Sequence, residues 1–270
     1  MGNEKKGVSG TKEWAASNVN IQSGCDHDCL YCYAKASAVR FDRLPKGGWT
    51  KPELNEKAVE KGYGKRKGTI MFPTAHDITP GNRKHSINTL RKMCAAGNRV
   101  LIVSKPRISC IAPLCLGLEP YKDQVLFRFT IGSGNSQVLA FWEPGAPDFV
   151  DRLDSLQHAF DEGFQTSVSM EPLLDVEEDD IVAHVELLTP YITDAIWLGK
   201  ANRLRERLKR NGYGANKSVM EAAATLEESQ SDERIVSLYE RLKGHPKVKW
   251  KESIKKVVGL AVPTEAGLDI

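Results

Sequence analysis

The chain has 270 residues, enough for one large domain or two small ones and for a core that needs no disulfide staples. Hydrophobic residues make up 41% and charged residues 27%, a mixture that excludes disordered and fibrous classes. No apolar run approaches the ~20 residues that span a bilayer, and a net charge of +3 is too small to argue for nucleic acid by itself.

The first dozen residues are polar and hold no apolar stretch of the secretory kind, so a cytoplasmic protein is expected. From there, short β-rich runs alternate with longer runs of helical period, the pattern of parallel βα units. Strands are predicted over 18–22, 69–72, 99–104, 125–131, 165–170 and 195–198. Helices are predicted over 85–96, closed by Gly97, over 148–162, closed by Gly163, and over 179–188, stopping before Pro190. Six strands with helical material between them predict an α/β fold, a partial (β/α)6 barrel of TIM type over residues 1–200. Residues 41–68, Gly- and Lys-rich with Trp49, read as a loop or insertion over one end of the barrel. Residues 201–270 lack a clear βα pattern. They are expected to form a mostly helical extension packed on the barrel, with its best helix over 217–243. This extension carries two basic stretches: 203–217 has six Lys/Arg against Glu206, and 241–256 has seven against Glu252. Such runs usually form solvated faces, so nucleic-acid binding is possible but not favoured.

Cysteine placement says more than cysteine number. Cys25, Cys29 and Cys32 fall within eight residues, just after the first predicted strand. Cys94, Cys110 and Cys115 stand in apolar surroundings, where a lone cysteine is most often a small buried hydrophobe. A structural zinc wants four ligands, usually as two separated pairs. His27 could complete a Cys3His set, though from inside the same tight loop, and no second Cys-x2-Cys exists. A [4Fe-4S] cluster normally takes four thiolates. With three, one iron stays open to an added chelate, and the amino and carboxylate groups of S-adenosylmethionine suit it.

The Cys-x3-Cys-x2-Cys spacing, with Tyr31 ahead of the last cysteine, resembles the signature of the radical S-adenosylmethionine superfamily. The longer stretch Gly24-Cys25-Asp26-His27-Asp28-Cys29-Leu30-Tyr31-Cys32-Tyr33-Ala34 is similar to the form found in spore photoproduct lyase and its relatives. Glu143-Pro144-Gly145-Ala146-Pro147, followed by Arg152-Leu153, resembles a second segment of that group. The resemblance covers residues 18–199. It implies a barrel enzyme with Cys25, Cys29 and Cys32 on a [4Fe-4S] cluster, S-adenosylmethionine as cofactor, and an electron donor such as flavodoxin or ferredoxin. The reaction would be lyase- or transferase-like, through a 5′-deoxyadenosyl radical.

The same resemblance implies cofactor contacts at the carboxyl ends of the strands. Thr74 and Asp77 would take the methionine amino group, Ser104 and Lys105 its carboxylate, and Gly199 would pass the adenine. Tyr31, Thr130 and Arg152 complete the expected cofactor set. The catalytic candidates are His76, Arg128 and Glu171. Arg128 shares one face of its strand with Thr130 and is either an anion contact or the salt-bridge partner of Glu171. One departure matters: the lyase's hydrogen-donating cysteine has no counterpart in Phe72-Pro73-Thr74-Ala75. Thymine-dimer cleavage by that route is not expected, and a small-molecule substrate is. The alternatives are a nucleic-acid repair or modification enzyme and a non-catalytic metal-binding module.

Overall fold

The computed structural model describes residues 7–45 and 47–267. Residues 1–6 of the polar amino-terminal stretch, position 46 of the predicted insertion and residues 268–270 lie outside the described residues.

Seven strands form one sheet: β1 (Ser17–Asn18), β2 (Ile70–Phe72), β3 (Val100–Ser104), β4 (Val125–Thr130), β5 (Gln165–Met170), β6 (Ile196–Leu198) and β7 (Val248–Trp250). Each pairs in parallel with the next, in chain order from one edge to the other. Parallel neighbours need crossovers, and helices supply them. After β1 comes α1 (Tyr33–Arg40), and α2 (Arg83–Ala95) joins β2 to β3. Next come α3 (Ile108–Leu118), then α4 (Ser136–Trp142) with α5 (Phe149–Asp161), and α6 (Glu178–Leu188). The last crossover is built from α7 (Leu204–Arg210), α8 (Lys217–Ser229) and α9 (Asp232–Leu242).

Strand residues alternate between two apolar faces. Phe72, Ile102, Phe127, Val168 and Leu198 point to the helices and build the main core. Met71, Leu101 and Trp197 turn inward and pack with Trp14, which precedes β1. Trp14 reaches Trp197 of the sixth strand at 5.6 Å between ring centroids, so the sheet curls back towards its first edge. This is a parallel α/β partial barrel. Among the described residues no helix is long and apolar enough to cross a membrane.

The structure departs from the sequence expectation in several places. The seventh strand, β7, lies in the stretch read as a purely helical extension. Three residues with Lys249 at the centre are too short and too polar to announce a strand, yet Trp250 is buried in the core. The helix predicted over 217–243 is two helices, broken at Gln230. There the Gln230 side chain turns inward, accepting from the Ala201 amide and donating to the Leu173 carbonyl, and Asp232 and Glu233 start a new first turn. The strand predicted over 18–22 splits, because Asn20 is captured by the loop after β2. Its side-chain oxygen accepts from the Thr74 and Ala75 amides at 2.7 and 2.9 Å. Gln22–Ser23 then pairs antiparallel with Glu53–Leu54, inside the stretch read as a loop, which also holds a five-residue helix, Glu56–Glu60. Finally, α1, α3 and α4 are not among the predicted helices; α3 carries Pro113 in its interior. Cys110 and Cys115 on α3, and Cys94 on α2, are buried core residues, as their apolar surroundings suggested.

Candidate functional site

A cavity of about 690 Å³ opens at the carboxyl ends of the strands. All three clustered cysteines line it, together with Tyr31, the loop after β2 (Thr74 to Asp77), Ser104 and Lys105 after β3, Thr130 of β4, and Ser169 and Glu171 of the β5 end. The amino-terminal segment around Lys12 and the residues Lys200, Asn202 and Arg207 complete the wall.

The cysteine loop is held from several sides. The Cys25 amide donates to the Trp49 carbonyl at 2.8 Å, which gives the predicted insertion a structural role. The Leu30 amide donates to the Trp142 carbonyl, and the Gly145 amide to the His27 carbonyl at 3.0 Å. Position 145 must be glycine, since a Cβ there would overlap the Asp26 carbonyl and the His27 backbone. The Asn211 side chain donates to the carbonyls of Leu30 and Cys32 at 2.8 and 3.0 Å. The Tyr31 hydroxyl donates to Glu143, whose other oxygen meets Arg152 at 2.5 Å with both side chains fully buried. Arg152 also donates to the Pro147 and Thr130 carbonyls. Arg152 is therefore behind the wall, where it orients the loop through Glu143 and Tyr31, and does not line the cavity.

Asp77 is the hub of the opposite wall. One carboxylate oxygen accepts from the Ser104 hydroxyl at 2.9 Å and the Lys105 amide at 2.7 Å. The other lies 3.0 Å from Nδ1 of His27 and 3.7 Å from Nζ of Lys105. Burial alone would raise the Asp77 carboxyl, but Lys105 and His27 hold it well below the usual carboxylate range. Lys105 follows the reverse logic. Burial would lower it, yet Cys29, Tyr31, Asp77 and Glu143 together hold its ammonium well above the ordinary value. With every oxygen engaged, Asp77 acts by fixing Lys105, Ser104 and His27.

His76 also lines the cavity, but both ring nitrogens are in use. Nε2 accepts from the Ile21 amide at 3.2 Å and Nδ1 lies 3.0 Å from the Asp77 carbonyl. Burial lowers its pKa, so it is a neutral, bonded ring with no lone pair to spare. Arg128 points into the barrel below the cavity, stacked 4.5 Å from the Trp14 ring. Of the two readings left open for it, an anion contact or a salt bridge to a carboxylate such as Glu171, the described residues show a salt bridge, with Asp194 at 2.8 Å in place of Glu171 and Ser167 at 3.0 Å beside it. Asp194 sits just before β6, a position the strand pattern could not bring next to β4. Glu171 faces the cavity and pairs instead with Lys251 at 3.4 Å. Gly199 is packed against the side chains of Glu171 and Lys251, where a Cβ would stand 2.9 Å from each, and does not line the cavity. The basic stretches, expected to lie beyond the barrel, reach the site: Arg207 is on its wall, and Lys251 is buried behind Glu171.

Can these residues hold a metal centre? All six cysteines are unpaired. Burial pushes the Cys25 thiol up to about 12, with Asp77 adding to the effect, and also raises Cys29 and Cys32. A bound cation would reverse that, as metal binding releases thiol protons. Three thiolates on one tetrahedral zinc lie about 3.8 Å apart, given Zn–S bonds of ~2.3 Å. Among the described residues, the trio of candidate ligand atoms within 4.8 Å of one another is Cys25, His27 and Asp77; the three thiols are not such a set.

No family profile matches the chain. Over 199 residues it is 28% identical to the uncharacterized protein ORF301 of Acidianus two-tailed virus, a match covering 67% of this chain and 63% of that one. The match thus spans less than two-thirds of that relative's length. In fold the chain is similar to a double variant of spore photoproduct lyase with bound AdoMet and dinucleoside spore photoproduct. The TM-score is 0.57 at 13% identity, covering 92% of this chain and 79% of that one. It is also similar to SuiB of Streptococcus suis bound to S-adenosylmethionine, with a TM-score of 0.53 at 11% identity, covering 91% and 49%. The chain therefore shares its fold with spore photoproduct lyase, whose relatives its cysteine loop also resembles.

Proposed function

We propose that the chain is a radical S-adenosylmethionine enzyme in which Cys25, Cys29 and Cys32 hold three irons of a [4Fe-4S] cluster. The fourth iron is left for the amino and carboxylate groups of S-adenosylmethionine. When bound and reduced by a one-electron donor such as flavodoxin or ferredoxin, the pair supplies a 5′-deoxyadenosyl radical that takes hydrogen from a substrate. The observation that carries this reading is that the three thiols open together on one cavity at the carboxyl ends of the strands. The fold shared with a lyase solved with bound AdoMet supports it.

The chain's own residues then have distinct tasks. Lys105, charged and poised at the cavity wall, is the cation for the methionine carboxylate, and the Thr74 and Thr130 hydroxyls are polar contacts beside it. Asp77 fixes Lys105 and ties the cysteine loop to the rim through His27. Tyr31, braced by Glu143 and Arg152, shapes the wall beside the cluster. Glu171 is the open carboxylate of the site and a substrate-facing candidate, while His76 and Arg128 are structural.

The test is cofactor turnover without substrate. Reduced, reconstituted protein given S-adenosylmethionine should slowly release 5′-deoxyadenosine and methionine, and Cys29→Ala should release none. A fully loaded cluster that binds and cleaves no S-adenosylmethionine would refute the reading.

A further inference from the structure

Between α1 and α7, beside the main cavity, lies a smaller hollow of about 160 Å³. Tyr33, Arg40, Phe41, Arg203, Arg207 and Arg210 line it. Tyr33 and Arg207 line both spaces, so they stand where the two meet. Glu206 answers Arg210 at 2.6 Å. Among the described residues, Arg40, Arg203 and Arg207 make no ion pair, and neither does nearby Arg43.

Single unpaired arginines are ordinary on a surface. Three around one hollow repel one another, and Glu206, the carboxylate among the lining residues, is engaged by Arg210, so the hollow carries a net positive field. The guanidinium fork matches phosphate geometry, with paired donors in one plane. An aromatic platform stands at the outer end: Phe41 is 55% exposed, with the Arg40 and Arg43 guanidiniums 5.1 and 5.0 Å from its ring centroid. At the inner end Arg207 lies 5.9 Å from the Tyr33 ring. Guanidinium forks held in place by neighbouring rings suit a phosphate ester.

The geometry points to this hollow as a phosphate-binding subsite, with the rest of the ligand entering the main cavity past Tyr33 and Arg207. That the ligand is the enzyme's substrate rests on the function proposed above; the phosphate site does not. The shared chemistry is a phosphate ester, from a phosphorylated small molecule or from a single-stranded nucleic acid. The basic run over 203–217, expected from sequence to be a solvated face, supplies the binding groups through Arg203 and Arg207.

Full-length protein of measured iron content would be titrated with inorganic pyrophosphate, thymidine 5′-monophosphate and a fluorescent oligothymidylate. The same titrations on Arg40→Ala/Arg203→Ala and Arg40→Lys/Arg203→Lys, each checked for unchanged melting, separate loss of site from loss of fold. At low salt, pyrophosphate should bind, roughly tenfold or more weaker in the alanine pair and largely preserved in the lysine pair. Equal affinity of the mononucleotide and the oligomer identifies a small phosphorylated source. Tighter, steeply salt-dependent oligomer binding identifies a strand. Absence of pyrophosphate binding to the parent protein, or equal binding by parent and alanine pair, overturns the subsite. A chain that binds phosphate but holds no cluster leaves the subsite standing and removes only the proposed radical chemistry.

Discussion

Nζ of Lys251 lies 2.9 Å from Oε1 of Glu13, joining the residue after the last strand to one just before the first, with both side chains 1% exposed. The Glu252 amide donates to the other Glu13 oxygen at 2.9 Å, and Lys251 also sits 3.6 Å from the Trp14 ring centroid. This pair draws the two edges of the open barrel together beneath the cavity. Lys251→Met strands a buried carboxylate and should cost about 3–5 kcal/mol. The double change Lys251→Met/Glu13→Gln should cost clearly less than the sum of the single changes. Urea unfolding of all four proteins measures the coupling, and strict additivity would contradict the latch.

Asp77→Asn keeps the shape of the hub but removes its charge. Lys105 then loses its 3.7 Å partner and His27 its 3.0 Å acceptor. Binding of S-adenosylmethionine should weaken by ~1–3 kcal/mol although Asp77 need not touch the ligand. Lys105→Met should weaken it at least as much. Calorimetric titration of reconstituted protein checks both, and unaltered affinity in either would misplace the methionine pocket.

His184 gives the stability profile its acid limb. It is buried against Phe149, with Asp175 3.8 Å away, and burial lowers its pKa from 6.5 to about 4. Between those values the unfolded chain takes up a proton that the folded chain refuses. Its contribution is thus complete above about pH 6.5 and is lost as pH falls towards 4, on the order of 3 kcal/mol. Asp175, itself raised by burial, opposes part of this loss. Unfolding midpoints measured across that range should fall with acidity, and His184→Leu should flatten the limb. An unchanged slope in the variant would assign the acid loss to other groups.

Much of this was legible in the chain. Five of the seven sheet strands, the first at Asn18 alone besides, and the helices closed by Gly97 and Gly163, follow from hydrophobic period and capping residues. The cysteine spacing alone led to the cavity. The rest depends on contacts between residues far apart in sequence. Arg152 and Glu143 read as parts of a recognisable segment, but only packing shows them bracing Tyr31 from behind. Arg128 meets Asp194 through strand register, and β7 has only Val248 and Trp250 to announce it. Lys251 looked like one charge in a basic run until Glu13, 238 positions away, proved to be its partner.

Metal stoichiometry tests the central claim most directly. Protein reconstituted anaerobically with iron and sulfide should hold about four irons and four sulfides. Each of Cys25→Ala, Cys29→Ala and Cys32→Ala should lose the cluster, while Cys110→Ala and Cys115→Ala should keep it. One tightly held zinc, abolished by Cys25→Ala or His27→Ala but untouched by Cys29→Ala and Cys32→Ala, would place a single ion on the Cys25, His27 and Asp77 trio and contradict the account.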